Sequence, residues 1–209
     1  ITAKEMRMRE QESVNCGVSL DKLMDNAGNA LSSFIINLNK GRKIVFLAGR
    51  GNNGGDCYVA ANELVYNGFD VTVINICGEP DTPLAINAFS KLPTERINII
   101  SGYKSEKVKK ALEMAEIDFM SHEKSNELEK LKQLEAERIK TVSDAIKNAD
   151  IVVDGVFGTG FHGELDGELA YFFSLAEDKT TIAVDTPSGG NCTSGAVSDG
   201  TFKADYTLT

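Results

Sequence analysis

Residues 43–49, Lys-Ile-Val-Phe-Leu-Ala-Gly, form an unbroken apolar run that leads directly into residues 49–56, Gly-Arg-Gly-Asn-Asn-Gly-Gly-Asp. A run this short and this apolar suits a strand covered on both faces, and the glycines at its end suit a tight step into a helix. The helix is expected to begin at Gly54 or Gly55 and to pass through Asp56, Val59, Ala60, Leu64 and Val65 to a stop at Asn67 and Gly68. A strand covered on both faces and joined to a helix in this way requires layers of helix around a parallel sheet.

The rest of the chain repeats the pattern. Apolar runs at residues 71–76, 97–100, 151–153 and 181–184, with a last short strand at 206–208, alternate with helix-compatible stretches at 84–92, 105–115 and 165–176. Two helices precede the first strand, at residues 2–16 and 19–39, separated by Gly17 as a stop and Ser19 as a cap. In the second, Leu20, Leu23, Met24, Ala27, Leu31, Phe34 and Ile35 recur at helical spacing, so that face packs on the sheet. The expected fold is therefore α/β: a three-layer αβα, Rossmann-like sandwich with a mainly parallel sheet, in one domain over residues 1–209. Residues 121–147 are dense in charges of both signs around Leu128, Leu131 and Leu134, and read as a solvated helix or a variable excursion rather than a partner-binding helix.

Charge narrows the function. With 22 Lys and Arg against 31 Asp and Glu, the net charge of -9 disfavours a broad grip on nucleic acid or on an anionic membrane surface. An anionic ligand then needs a local site of backbone N–H groups or a cation. Cys16, Cys57, Cys77 and Cys192 are scattered without zinc-like spacing, which suits reduced thiols. No apolar run approaches the roughly 18 residues of a membrane span, and the expected compartment is the cytoplasm.

Three loops at strand ends carry the candidate chemistry. Gly49, Gly51 and Gly54 match the G-x-G-x-x-G dinucleotide fingerprint in its required strand-to-helix setting. The added glycine and the amides of Asn52 and Asn53 favour a turn with positive φ that aims N–H donors at a phosphate, helped by the helix dipole. Asp56 is placed to cap the helix, bond a ribose hydroxyl or help hold a cation. After the run at 151–153 come Asp154 and a backbone-rich loop through Gly158, Thr159, Gly160, Phe161, His162, Gly163 and Glu164. After the run at 181–184 come Asp185, Pro187, Ser188, Gly189 and Gly190. Ligands of open α/β sheets sit outside the carboxyl ends of strands, where both acids fall. Asn53, Asp154, Asp185 and Ser188 together supply oxygens suited to a monovalent or divalent cation.

In this order the motifs resemble those of the NAD(P)H-hydrate epimerase family, the YjeF N-terminal domain family that includes the apolipoprotein A-I-binding protein. The residues concerned are Leu-Met-Asp-Asn-Ala-Gly at 23–28, Gly-Arg-Gly-Asn-Asn-Gly-Gly-Asp at 49–56, Asp-Gly-Val-Phe-Gly-Thr-Gly-Phe-His-Gly-Glu-Leu at 154–165, Asp-Thr-Pro-Ser-Gly at 185–189 and the closing Ala-Asp-Tyr-Thr-Leu-Thr. The resemblance implies an isomerase that interconverts the R and S forms of hydrated NADH or NADPH (NADHX and NADPHX), serving a partner dehydratase that accepts only the S form. It implies that Asn52, Asn53, Gly54, Gly55 and Asp56 bind the nucleotide together with the loop from Gly158 to Glu164. It further implies that Asp185 contacts the substrate and assists proton transfer, and that Asn53, Asp154 and Ser188 bind one potassium ion per subunit. By analogy a homodimer, or fusion to a dehydratase domain, is expected. Arg50 stands where the family commonly has proline and Cys57 where it has a smaller residue.

Two other readings use the same residues. A Rossmann oxidoreductase accounts for the fingerprint, but Asp70 precedes its strand, Glu79 follows in the general region of a ribose-binding acid, and no Tyr-x-x-x-Lys constellation is present. A non-catalytic nucleotide-binding or scaffold module keeps the pocket without the chemistry.

Overall fold

The computed structural model describes residues 3–104, 108, 110 and 122–209. Helices α1 (Ala3–Asn15) and α2 (Leu20–Leu38) lead into β1 (Lys43–Ala48), α3 (Asn52–Tyr66), β2 (Asp70–Asn75), α4 (Pro83–Ser90) and β3 (Asn98–Ser101). The second half runs through α5 (His122–Lys147), β4 (Ile151–Gly155), α6 (Gly167–Ser174), β5 (Thr180–Val184) and β6 (Tyr206–Leu208). The helix expected over residues 105–115 falls outside the described residues except at positions 108 and 110.

The six strands form one sheet in the order β3-β2-β1-β4-β5-β6, parallel at every pairing. Alternate residues of each strand feed opposite faces. Ile44, Phe46, Val71, Val73, Ile151, Val153 and Ile182 point to the side of α2, α3 and α4, where Leu31, Ile35, Tyr58 and Leu64 complete the core. Val45, Leu47, Ile74, Val152 and Ala183 point to the other side, against Val142 and Ile146 of α5 and Leu169, Phe172 and Phe173 of α6. The α/β sandwich expected from the sequence is the observed one.

Local signals set the boundaries. Ser19 accepts the Lys22 N–H at 3.2 Å to start α2, and Asn39 ends it in the left-handed region at φ 49. Thr82 caps α4 by accepting from Ala85 N–H, so that helix starts at Pro83. Asp166 caps α6 by accepting from Glu168 N–H, so the helix expected from residue 165 begins at Gly167. The charged stretch at 121–147 is helical from His122, and its C-terminal half does more than solvate. Val142, Ser143 and Ile146 are buried, and Arg138 bonds Glu135, Glu168 and the Gly102 carbonyl. Among the described residues no helix is long and apolar enough to cross a membrane.

Candidate active site

The strand order changes direction between β1 and β4, and an open α/β sheet parts its loops there to form a crevice. A cleft of about 960 Å³ lies at this point, beyond the carboxyl ends of β1, β4, β5 and β6. One wall is the start of α3, with Arg50, Gly51, Asn52, Asn53 and Asp56. The facing wall is the loop after β4, from Val156 to Phe161, and the floor holds Val184, Asp185 and Leu208.

Helix α3 begins at Asn52, two or three residues before the expected start at Gly54 or Gly55, and Gly51 is its N-cap with φ -89. The glycines at 51, 54 and 55 do not take positive φ. At Gly54 and Gly55 the role is close approach: a Cβ on Gly54 would run into the Gly49 carbonyl, and one on Gly55 would run into the Met24 side chain, whereas the space around Gly51 is open. Only Gly49, Arg50 and Gly51 separate the end of β1 from the start of α3. The N–H groups of the first helical turn, those of Asn52, Asn53 and Gly54, are orphan donors at the positive end of the helix dipole. No side chain caps them, and Asn52 and Asn53 line the cleft.

The Asn52 side chain accepts the Thr82 hydroxyl at 2.7 Å and braces α3 against α4. Asn53 reaches across the sheet, its Nδ2 donating to the Val184 carbonyl at 3.1 Å. Arg50 pairs with Asp81 at 3.2 Å and donates to the Glu79 carbonyl, so it ties down the loop after β2 on the cleft rim. Nothing in the sequence pattern marked Asp81 or Thr82, because both act only through residues brought near by the fold.

Asp154 and Ser188 are fully buried and bonded to each other. The Asp154 Oδ2 accepts the Ser188 N–H at 2.7 Å, and Oδ1 accepts both the Ser188 hydroxyl at 2.6 Å and the Val156 N–H at 3.1 Å. Burial pushes the Asp154 carboxyl up to about 6, against the pull of these three donors. The Ser188 hydroxyl in turn accepts the Phe157 N–H at 2.9 Å, so the pair also fixes the wall of the cleft. Cys57 is buried alongside, its sulfur occupying the space beside Gly155, and burial pushes its thiol well above the ordinary range.

Asp185 is the conformational outlier. It has φ 67, while the Thr186 N–H returns to the Val184 carbonyl at 2.8 Å, which makes the turn a strained γ-turn centred on the aspartate. The Leu208 carbonyl holds its N–H at 2.7 Å, and its Oδ2 accepts the Thr159 N–H at 2.7 Å. Gly158 makes room for that bond, since a Cβ there would lie 2.5 Å from Oδ2. One carboxylate oxygen is thereby anchored and the other is left to the cleft.

Of the expected site residues, the cleft brings together Asn52, Asn53, Asp56, Gly158, Thr159, Gly160, Phe161 and Asp185. Gly54 and Gly55 are buried behind them. Asp154 and Ser188 form the support beneath. His162 and Gly163 are exposed and outside the cleft lining, and Glu164 lines a second hollow. A histidine can be seen in a sequence; which way its loop turns cannot.

The family model for the YjeF-related protein N-terminus matches residues 20–209. The chain belongs to this family. Within the YjeF-related group, an NAD(P)H-hydrate epimerase of Cenarchaeum symbiosum is 30% identical over 100% of this chain and 83% of its own length. An NAD(P)H-hydrate epimerase of Elusimicrobium minutum is 29% identical, over 99% of this chain and 83% of that protein. The bifunctional NAD(P)H-hydrate repair enzyme Nnr of Thermosynechococcus vestitus is 27% identical, and this chain spans 34% of it. A crystal structure of yeast ynu0 shares the fold, with TM-score 0.66 at 17% identity over 99% of this chain and 78% of that one.

Proposed function

We propose that this YjeF-related domain epimerises the hydrates of NADH and NADPH, interconverting their R and S forms. The carrying observation is Asp185, a carboxylate held at φ 67 on the cleft floor with one oxygen fixed by Thr159 and the other facing the cleft. A strained aspartate across from an uncapped helix N-terminus supplies both needs of such a substrate. The α3 amides bind the diphosphate, and Asp185 sits where a reduced, hydrated ring would lie. Relatives that carry the epimerase name over 83% of their own length support the same reaction.

In this mechanism the Asp185 carboxyl passes a proton to the C6 hydroxyl, which leaves as water, and the carboxylate takes a proton back from the water that adds to either face of the planar ring cation. The anchored Oδ2 keeps the carboxylate in place while Oδ1 does the transfer. Asn53, Asp154 and Ser188 would hold one potassium ion. They offer oxygen donors and a single formal negative charge, which suits a hard monovalent cation. When bound, the ion supplies a fixed positive charge beside the cleft wall. Asn53 fits this role through Oδ1, because its Nδ2 is engaged by Val184.

The partner in this reading is a dehydratase acting on the S hydrate, in trans or fused as in bifunctional relatives. The compartment is the cytoplasm, where the four free cysteines stay reduced, and the chain pairs as a homodimer. Separated R and S NADHX, incubated with and without the protein and potassium, test the proposal. Equilibration faster than the spontaneous rate is the expected result; no acceleration would leave a nucleotide-binding module.

A further inference from the structure

A second hollow of about 360 Å³ opens beside the cleft, at the carboxyl ends of β2 and β3. Cys77, Phe157 and Phe161 line both spaces, so a ligand can pass from one to the other over the two phenylalanines, whose rings lie 5.1 Å apart. The hollow lies between the segments after β2 and β3, with Cys77, Tyr103 and Lys104, and the segment from Phe157 to Phe172, whereas Asp185 lines the cleft and not the hollow. Its walls are aromatic and aliphatic: Tyr103, Phe157, Phe161, Leu165, Leu169 and Phe172.

This inference rests on the epimerase reading and deepens it. With the nicotinamide ring at Asp185 and the diphosphate at the start of α3, the other half of a dinucleotide must cross to the β2–β3 side of the crevice. The hollow is what it meets there. We infer that this hollow receives the adenine base of the substrate, stacked against Tyr103 and Phe161.

Its polar groups fit an uncharged heteroaromatic ring. Lys104 is neutralised by Glu168 at 3.2 Å, and Glu168 is shared with Arg138 at 2.7 Å. Glu164 and Asp166 add negative charge at the rim, which is unfavourable to a phosphate and neutral toward a base that donates from an amino group. Tyr103 is held in position because its hydroxyl donates to Glu79 Oε1 at 3.1 Å, while Asn75 holds the other oxygen of that carboxylate at 3.2 Å. The volume falls at the small end of the range of about 300–1,000 Å³ typical of ligand pockets, adequate for a base and not for a dinucleotide.

The test compares two substrates in the native protein and in Tyr103→Ala and Tyr103→Phe variants. One is the hydrate of NADH; the other is the hydrate of reduced nicotinamide mononucleotide, which has no adenine. The ratio of kcat/KM for the larger over the smaller substrate falls about tenfold in Tyr103→Ala, through KM, and returns in Tyr103→Phe, which keeps the stacking face. An unchanged ratio overturns the adenine site while leaving the epimerase reading intact. Inactivity of the native chain on both hydrates overturns the epimerase reading instead. The hollow is then read by equilibrium binding of adenosine monophosphate, which weakens about tenfold in Tyr103→Ala if the assignment holds; equal binding by both proteins overturns it.

Discussion

Residues 49–56 keep their shape by having no side chains where the backbone turns back on itself, whereas the loops after β4 and β5 keep theirs through carboxylates that bond backbone N–H groups. On the first side, the Gly49 carbonyl occupies the space a Cβ of Gly54 would need, and α3 starts without a side-chain cap. On the second, Asp154 gathers Val156 and Ser188, and Asp185 gathers Thr159. The difference teaches how the cleft divides its labour. Bare amides on one wall are left open to an anion, while opposite them Asp154 is bonded through both oxygens and holds the wall from beneath, and Asp185 is anchored through Oδ2 alone.

The comparison breaks most visibly at Asp185. In Asp185→Asn the left-handed backbone is tolerated and the amide oxygen can still accept the Thr159 N–H, so folding is retained. The proton-transfer group is lost, and the equilibration rate of R and S NADHX drops by about 10²–10⁴-fold while nucleotide binding persists. Full activity in this variant would remove the acid side of the contrast. On the glycine side, Gly54→Ala forces the Gly49 carbonyl aside at about 3 kcal/mol, offset by about 1 kcal/mol of better helix propensity. Urea unfolding should show a net loss of about 2 kcal/mol with weakened nucleotide binding; a stabilised, binding-competent variant would show that space is not the reason for glycine there.

Ser188→Ala sharpens the other side. It removes the hydroxyl that donates to the buried Asp154 at 2.6 Å and leaves that carboxylate one donor short. The expected loss is about 1.5 kcal/mol in denaturant unfolding, with the wall at Phe157 loosened because the same hydroxyl accepts its N–H.

Legibility followed the same division. The strand, the glycine loop and the acids at strand ends could be read because each is a local pattern: a continuous apolar run, a breaker, then a polar residue where ligands collect. The start of α3 was misplaced because Asn and Gly are weak helix formers, and only the close packing against Gly49 and Met24 carries the helix back to Asn52. The pairing of Asp154 with Ser188 spans 34 residues and rests on β4 and β5 lying side by side, which the alternating pattern implied. The second hollow was invisible, since Tyr103, Phe161 and Leu169 come from three separate segments with no shared motif. The buried half of α5 was hidden by its charge density, though Val142 and Ile146 were present at helical spacing.

The smallest effect separates burial from hydrogen-bond geometry. Asp150, at the far end of the sheet, uses the same device as Asp154: its Oδ2 accepts the Arg42 N–H at 2.8 Å and the Lys43 N–H at 2.9 Å, joining the starts of β1 and β4. It is exposed, and the bonds from Lys43 and Arg42 hold its carboxyl below the ordinary value, whereas burial drives Asp154 the other way. A carboxyl whose folded value is depressed stabilises fully above the unfolded value of about 3.9 and loses that contribution as pH falls through the folded one. Asp150→Asn should therefore cost less than about 1 kcal/mol, because water competes for both N–H groups. The difference from the native chain should stay level from about pH 7 to pH 5 and shrink below about pH 4, with epimerisation unaffected. A deficit that grows on acidification would mean that the ionised oxygens are not what joins the strands, and that carboxylate lacing matters here only where it is buried.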